Sequence, residues 1–219
     1  MNPSPPPIVA AGAAIESASF RIIDAQAGNH DAYDSAQWNV VRRMIHTSGD
    51  FDFNGLTFFS PMAMASAQTA LRQKPRLTVD VEMIRAGLAT RRLDRLGVTV
   101  HQFNSDPQVI ARAQANGVTR SCEAMREAWR LGLLDNGIVA IGNAPTALLE
   151  VIRLIREERV RPALVIGVPV GFIRAEESKE ELMTLLDTPW IAIRGTKGGS
   201  TLAVAILHAL MDLADSTTP

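Results

Sequence analysis

Two observations predict a three-layer α/β/α fold for this chain. Short, uniformly apolar segments alternate with helical patterns over most of its length, which is typical of parallel strands that helices cover on both faces. With 219 residues, 47% of them hydrophobic, the chain can also bury one full core as a single domain. The sequence therefore predicts an α/β fold with a mainly parallel, Rossmann-like central sheet, preceded by two N-terminal helices.

The two N-terminal helices are predicted from apolar residues at helical spacing. The first covers about 12–27, and its apolar stripe predicts a core-facing side made of Ile15, Ser19, Ile22 and Ile23. The second covers about 32–47 and ends at Gly49, a residue type that commonly terminates helices. Its apolar side is made of Trp38, Val41, Met44 and Ile45.

The alternating part of the chain follows these helices. Its predicted strands are 56–59, 76–79, 98–103, 138–141, 163–166 and 190–193. Its predicted helices are 61–74, 81–87, 106–132 (as two helices), 145–159, 175–186 and 200–214. We expect a disordered leader over 1–10, one domain over 11–214 and a flexible tail over 215–219.

Composition excludes several classes of partner. The net charge is −1 with both signs interspersed, so neither nucleic acid nor an anionic membrane surface is expected to bind. Cys122 is the single cysteine, which excludes an internal disulfide and is typical of the reducing cytoplasm. The first residues lack the features of a signal peptide, and the apolar runs are shorter than the ~20 residues of a membrane span. We therefore expect a cytoplasmic protein.

His46 is the strongest candidate for chemistry. It lies in the last turn of the second predicted helix, where the C-terminal dipole favours a protonated imidazole by about 0.3–1 kcal/mol. Such a histidine is suited to donating a proton at neutral pH. The alternative is a capping histidine that only bonds the last carbonyls, and its position leaves both interpretations open. His30, His101 and His208 show no spacing typical of a metal site or a triad, and we interpret them as structural.

Three further candidate residues lie on the two predicted N-terminal helices. Arg42 and Arg43 precede it by four and three positions, so both are expected on its side of the helix. Cations beside a protonated histidine are unfavourable unless an anionic ligand neutralises the group, although each arginine could equally be a solvated surface residue. Ser19 interrupts an apolar stripe, so it either permits close helix packing or presents a hydroxyl to a ligand.

A second group of candidates begins later helices. Arg120 opens a helix whose buried stripe is predicted from Val118, Cys122, Met125 and Trp129. An arginine in a first turn opposes the helix dipole at a cost of up to ~1 kcal/mol, so a carboxylate partner in the protein or on a ligand is expected.

In the segment 142–148, Asn143 is predicted to cap a helix that has Pro145 in its first turn, where a missing N–H costs nothing. The free N–H groups of such a helix start can bind an anion. The glycine-rich segment 194–200 lacks the spacing of a nucleotide-binding loop and is predicted to form a backbone cradle before the last helix. No metal-ligand cluster, nucleophile motif or cofactor motif is evident, so neither a metal nor a cofactor is expected.

Taken together, these segments resemble one family. The blocks AAIESASFRII, VRRMIHTSGD, GVTRSCEAM, AIGNAPTALLEVI, GVPVGFIRAEESKEEL and IAIRGTKGGSTLAVAILHAL are similar, in collinear order, to the signature blocks of the precorrin-8X and cobalt-precorrin-8 methylmutases. The resemblance runs from about Ala11 to about Leu213. Two positions depart from it: Glu16 stands where relatives can carry a tyrosine, and Ala89 stands where some relatives carry a threonine.

The resemblance implies an isomerase of corrin-ring synthesis, which moves a methyl group from C-11 to C-12 of the macrocycle. It implies that His46 is the proton donor and acceptor, that Ser19 and Arg43 contact the substrate, and that Arg120 lies in the same pocket. We also expect Asn143 and Thr146 to contact the substrate. A homodimer with the site near the subunit interface is implied as well.

Two other functions compete with this interpretation. A corrin-binding carrier without turnover would use the same arginines and glycines, but His46 would then be dispensable. A nucleotide- or S-adenosylmethionine-binding enzyme is suggested only by the β–α alternation. That class is disfavoured because the first strand is not followed by a glycine-rich fingerprint and an acidic residue.

Overall fold

The computed structural model of the chain describes residues 8–216, with side chains over 12–215. The helices of one half are α1 (Ile8–Gln26), α2 (Ser35–Ser48), α3 (Phe53–Leu56), α4 (Ala63–Arg72), α5 (Glu82–Gly87) and α6 (Thr90–Leu96). The later helices are α7 (Pro107–Ala115), α8 (Arg120–Arg130), α9 (Pro145–Glu157), α10 (Ala175–Met183) and α11 (Ser200–Ser216). The strands are β1 (Thr57–Phe59), β2 (Arg76–Val79), β3 (Thr99–His101), β4 (Ile138–Ile141), β5 (Leu164–Gly167) and β6 (Trp190–Ile193).

The six strands form one sheet in the order β1-β6-β5-β4-β2-β3. All neighbouring pairs are parallel except β1 and β6, which are antiparallel with Thr57 opposite Ile193. Every residue of β4, β5 and β6 is buried, as expected for parallel strands covered on both faces. The predicted mainly parallel sheet is confirmed.

Two hydrophobic clusters, one on each side of the sheet, form the core. One cluster is built from α1, α2, α4, α5 and α11. The other is built from α7, α8, α9 and α10. The three-layer α/β/α architecture predicted from the sequence is therefore confirmed, with α1 and α2 in the same layer as the C-terminal helix.

The apolar stripe predicted for the first helix is partly wrong. Ile23 is buried, but the side chains of Ile15 and Ile22 are 68% and 56% exposed. The reason is that α1 lies at the periphery of its layer and packs chiefly on α2, so only one side of the helix is covered. An apolar side of α1 consequently faces outwards.

Two short helices were not predicted. The turn α3 is kinked at Gly55, whose φ of 106° is available almost only to glycine. Helix α6 contains no buried residue and has no side-chain cap, so it lacks both signals by which sequence patterns reveal a helix. Helix α1 begins at Ile8 and α11 ends at Ser216, so both extend into the segments predicted as leader and tail; the rest of those segments lies outside the described residues.

Within the described residues, none of the helices has the length and apolar character needed to span a membrane.

Candidate active site

His46 lies in the last turn of α2 and its side chain is exposed. The helix ends as predicted at Gly49, whose left-handed backbone lets its N–H bond the Ile45 carbonyl at 2.7 Å. Within residues 12–215 the imidazole forms no hydrogen bond, so nothing in the structure supports a capping role. Its one ring contact is with Phe20 of α1, edge to face at 5.2 Å between centroids. The imidazole is thus exposed, and its position is set by packing on Phe20.

The two arginines before His46 are neutralised by the protein itself. Arg42 binds Asp24 of α1 at 2.9 Å. Arg43 binds Glu16 of α1 at 3.0 Å and Asp212 of α11 at 2.8 Å. The expectation that a ligand is needed to neutralise these cations is therefore wrong, because carboxylates from two neighbouring helices do so. Glu16, the residue that departs from the family pattern, is one of the two partners of Arg43.

Ser19 lies on α1 three positions after Glu16 and directly before Phe20, which places it next to the Arg43 and His46 contacts. Its side chain is half-buried. Within the described residues its hydroxyl forms no hydrogen bond, so it is available to a ligand.

A half-buried polar cluster, consisting of Arg43, Arg92, His208 and Asp212, lies behind His46. The carboxylate of Asp212 also binds Arg92, at 2.8 and 3.1 Å. His208 accepts the backbone N–H of Ala89 at 3.1 Å. Burial, with the nearby charges of Arg92 and Arg43, lowers the pKa of His208 to about 4. The imidazole is therefore neutral at pH 7, which agrees with the structural role predicted for it.

The second group of predicted residues lies at the starts of α8 and α9. Arg120 is exposed, and within residues 12–215 its guanidinium has no carboxylate partner. The expected partner is therefore not supplied by the described part of the protein. Thr146 and Thr119 join the two helix starts through a 2.7 Å hydroxyl contact. With Arg174 they line a cavity of about 400 Å³.

The prediction that Asn143 caps α9 is wrong, and the three N–H groups just before the helix are not free. Ala144 occupies the capping position, and the side chain of Asn143 is exposed. The N–H groups of Gly142, Asn143 and Ala144 donate to the Asp80 carboxylate at 3.1, 2.9 and 2.7 Å. Burial raises the pKa of Asp80, while these three donors favour its ionised form and oppose that shift. The anion at this helix start is therefore the protein's own.

The glycine-rich segment 194–200 packs on another loop rather than leaving its amides free. The N–H of Gly199 donates to the Val168 carbonyl at 2.8 Å, and Thr196 accepts the N–H of Gly171 at 3.1 Å. A Cβ on Gly198 would lie 2.3 Å from the Val168 oxygen, so only glycine fits there. The predicted backbone cradle thus packs on the loop that follows β5, and the N–H of Gly199 is bonded to that loop rather than free for a ligand.

Within one chain, the predicted residues form two groups on opposite sides of the sheet. Ser19, Arg43 and His46 come together on α1 and α2, in the layer that contains α11. Arg120, Asn143 and Thr146 belong to the starts of α8 and α9 in the other layer. No contact between described residues joins the two groups directly.

The sequence interpretation missed Asp80, Arg92 and Asp212. Asp80 follows a predicted strand directly, a position from which side chains commonly reach the edge of a parallel sheet, so its position was a usable signal. Arg92 and Asp212 carry no local signal, because each gains its role from a partner far away in sequence. No group of three metal-ligating side chains is found among the described residues.

The chain is similar to known proteins over most of its length. A family model described as precorrin-8X methylmutase matches residues 14–213. The chain belongs to the precorrin-8X methylmutase family. The cobalt-precorrin-8 methylmutase of Leptospira interrogans is 46% identical over 93% of this chain and 94% of its own. That of Priestia megaterium is 44% identical over 92% and 88%.

The fold is shared with a solved member of the family. A crystal structure of precorrin-8X methyl mutase from Thermus thermophilus superimposes with a TM-score of 0.88, at 47% identity, covering 94% of this chain and 98% of that one. Membership of the precorrin-8X methylmutase family makes this chain an isomerase of cobalamin biosynthesis. The carrier alternative is not favoured, because the relatives are named as methylmutases.

Proposed function

We propose that this chain moves the C-11 methyl group of precorrin-8X, or of cobalt-precorrin-8, to C-12, giving hydrogenobyrinate or cobyrinate, and that His46 is the acid. The observation that carries the proposal is the state of His46: it is exposed at a helix C-terminus, held by Phe20, and without a hydrogen bond within residues 12–215. A side chain in this state can give a proton to a ligand without first breaking a protein contact.

The reaction is an acid-assisted 1,5-sigmatropic shift. His46 protonates a ring nitrogen and makes the π-system cationic, which lowers the barrier to migration. The bond from the methyl group to C-11 breaks as the bond to C-12 forms, and loss of a proton to His46 restores conjugation. Atoms and charge balance without a cofactor. General acid catalysis of this kind contributes roughly 10²–10⁴ in rate, or about 3–5 kcal/mol.

The remaining residues bind the substrate, which is a large flat ring with carboxylates around its edge. Arg120 supplies a free cation, and the exposed amide of Asn143 and the hydroxyls of Thr146 and Ser19 supply hydrogen bonds. Arg43 contacts the substrate by exchanging Glu16, the more exposed of its two carboxylate partners, for a substrate carboxylate.

We infer that the enzyme is a homodimer. The support is that the two groups of predicted residues lie in opposite layers of one chain, while family members are expected to place the site near a subunit interface. Exposed Ile15 and Ile22, on the same helix as Ser19, supply apolar surface for such an interface. The proposed location is the cytoplasm, where a single reduced cysteine is typical.

The test incubates the protein with precorrin-8X and, separately, with cobalt-precorrin-8, and follows the visible spectrum. We expect wild type to convert at least one of them and His46→Ala to bind it unchanged. His30→Ala is the matched control, because His30 stacks on Trp38 away from Phe20. Binding without conversion by wild type would restore the carrier alternative. Equal conversion by His46→Ala would place the acid elsewhere.

A further inference from the structure

Lys179 of α10 is a fully buried cation that forms no hydrogen bond with a carboxylate of residues 12–215. Its side chain has no exposed surface, and its ammonium donates to one acceptor, the Lys197 carbonyl, at 2.7 Å. Burial lowers the pKa of Lys179 to about 8, and Glu176, one turn earlier, only partly opposes this. An apolar side chain would fill such a site without the desolvation cost of a buried charge, so the ammonium is expected to have a specific role.

The acceptor residue extends its own side chain in another direction. The ammonium of Lys197 binds the Asp52 carboxylate at 2.7 Å and also that of Asp50. It lies 5.8 Å from the centre of the Phe53 ring. Lys197 holds the pKa of Asp50 below its ordinary range, as expected for an ion pair that also forms a hydrogen bond. Lys197 is thus bound at two points: Lys179 bonds its backbone carbonyl, and Asp50 and Asp52 bind its ammonium.

Lys197 connects the end of α2, which carries His46, with the loops that follow β5 and β6. Asp50 directly follows Gly49, the residue that ends α2, so it lies four positions after His46. On the other side, the loop of Lys197 is bonded to the loop after β5 through Gly171 and Gly199. The end of α2 is therefore connected to two loops at the carboxyl ends of the strands.

We propose that Lys179, Lys197 and Asp50 form a two-lysine tie that fixes the end of α2, and with it His46, against these loops. Lys179 is a positioning residue in this proposal, which rests on the proposed role of His46. Only three lysines occur among the 22 basic residues of the chain, and two of them meet at this one peptide. The compact ammonium on a thin stem suits a buried channel that a planar guanidinium would not fit.

The test compares Lys179→Met, which keeps the stem and removes the ammonium, with Lys74→Met. Lys74 is exposed and outside the tie. Two readouts are taken: kcat and KM, and the NMR signals of the His46 ring, assigned with His46→Ala. In Lys179→Met we expect kcat to fall about tenfold with KM changed far less, because a small misplacement of a catalytic group affects the chemical step most. We expect the His46 signals to shift, and Lys74→Met to change neither.

Additivity gives an independent criterion. Lys179→Met and Asp50→Asn each remove one contact of the same residue, Lys197. Their combined loss in kcat should therefore be smaller than the product of the single losses. A full product would overturn the tie. Unmoved His46 signals with unchanged kcat would also overturn it, and a purely structural lysine would show this pattern with only a lower melting temperature.

Two further cases are a Lys179→Met variant that does not fold and a His46→Ala variant that remains active. If Lys179→Met does not fold, Lys197→Met replaces it, since that side chain is 39% exposed and its removal breaks only the ion pairs with Asp50 and Asp52. The same two readouts then decide. If the His46 signals shift but His46→Ala remains active, the tie stands and the proposed role of His46 fails.

Discussion

The end of α2 and the start of α9 are both helix termini at the ligand-binding edge predicted from the sequence, yet they differ in what they offer. The turn that leads into α9 is closed, because Asp80 accepts the three N–H groups of Gly142, Asn143 and Ala144. The end of α2 is open, because His46 is exposed and forms no hydrogen bond within residues 12–215. A helix dipole therefore identifies a terminus that can bind a charge, but long-range partners decide whether a ligand can use it.

The largest expected effect comes from reopening the closed terminus. Asp80→Ala should lower the free energy of unfolding by about 3 kcal/mol, because three buried N–H groups lose a charged acceptor. Urea titration measures it, and Asp31→Ala, in an exposed turn, is the control. Formate at high concentration should restore part of the stability of Asp80→Ala by binding the vacated amides. If Asp80→Ala were as stable as the control, the closed terminus would contribute nothing to folding.

The next effect concerns His208, in the polar cluster behind the open terminus. Its pKa is about 4 in the folded chain, below the ~6.5 expected when unfolded, so the unfolded state binds more protons between these values. Stability from this group is complete above pH ~6.5 and is lost as the pH falls towards 4, by about 3 kcal/mol before solvent screening, which reduces it. His208→Gln should flatten this part of the stability–pH curve, since an amide can accept the Ala89 N–H at any pH. An unchanged slope in His208→Gln would assign the pH dependence to other groups.

A smaller effect is expected at Arg120, the free cation at the start of α8. Arg120→Ala should raise KM about tenfold, as loss of one charge-assisted hydrogen bond does, with little change in melting temperature. Arg91→Ala is the control, since Arg91 is also exposed. Equal KM values for the two variants would remove Arg120 from the substrate site.

The smallest effect on folding is expected on the outer side of α1. Ile22→Ser should change the stability of the monomer by less than about 0.5 kcal/mol, because the side chain is already 56% exposed. Sedimentation velocity should nevertheless show weaker self-association if this side of α1 lies in the proposed dimer. Unchanged association would move the interface to another surface.

The fold was predictable because its signals are local. Uniformly apolar strands such as β4 and β5, and the glycine that ends α2, are specified by a few neighbouring residues. The contacts that were missed are long-range: Arg43 and Asp212 are separated by 169 positions, and Asp80 reaches amides 62 to 64 positions away. Periodicity also cannot reveal that α1 lies at the periphery, which is why Ile15 and Ile22 were predicted to be buried. The candidate residues could be predicted from the family resemblance and from residue chemistry. Their hydrogen-bond and ion-pair partners became evident only from the fold.

The reversed direction of β1 has a consequence for how the acid reaches its place. Thr57, the first residue of β1, pairs with Ile193, the last residue of β6, so the chain enters the sheet at the end where its neighbour leaves it. Helix α2 ends shortly before β1, and Asp50, just after α2, binds Lys197, just after β6, so α2 finishes at that same end. A parallel β1 would begin at the opposite end, about 10 Å away for a strand of this length. One inverted edge strand thus allows an N-terminal helix to bring a histidine to an edge that is otherwise supplied only by loops following parallel strands.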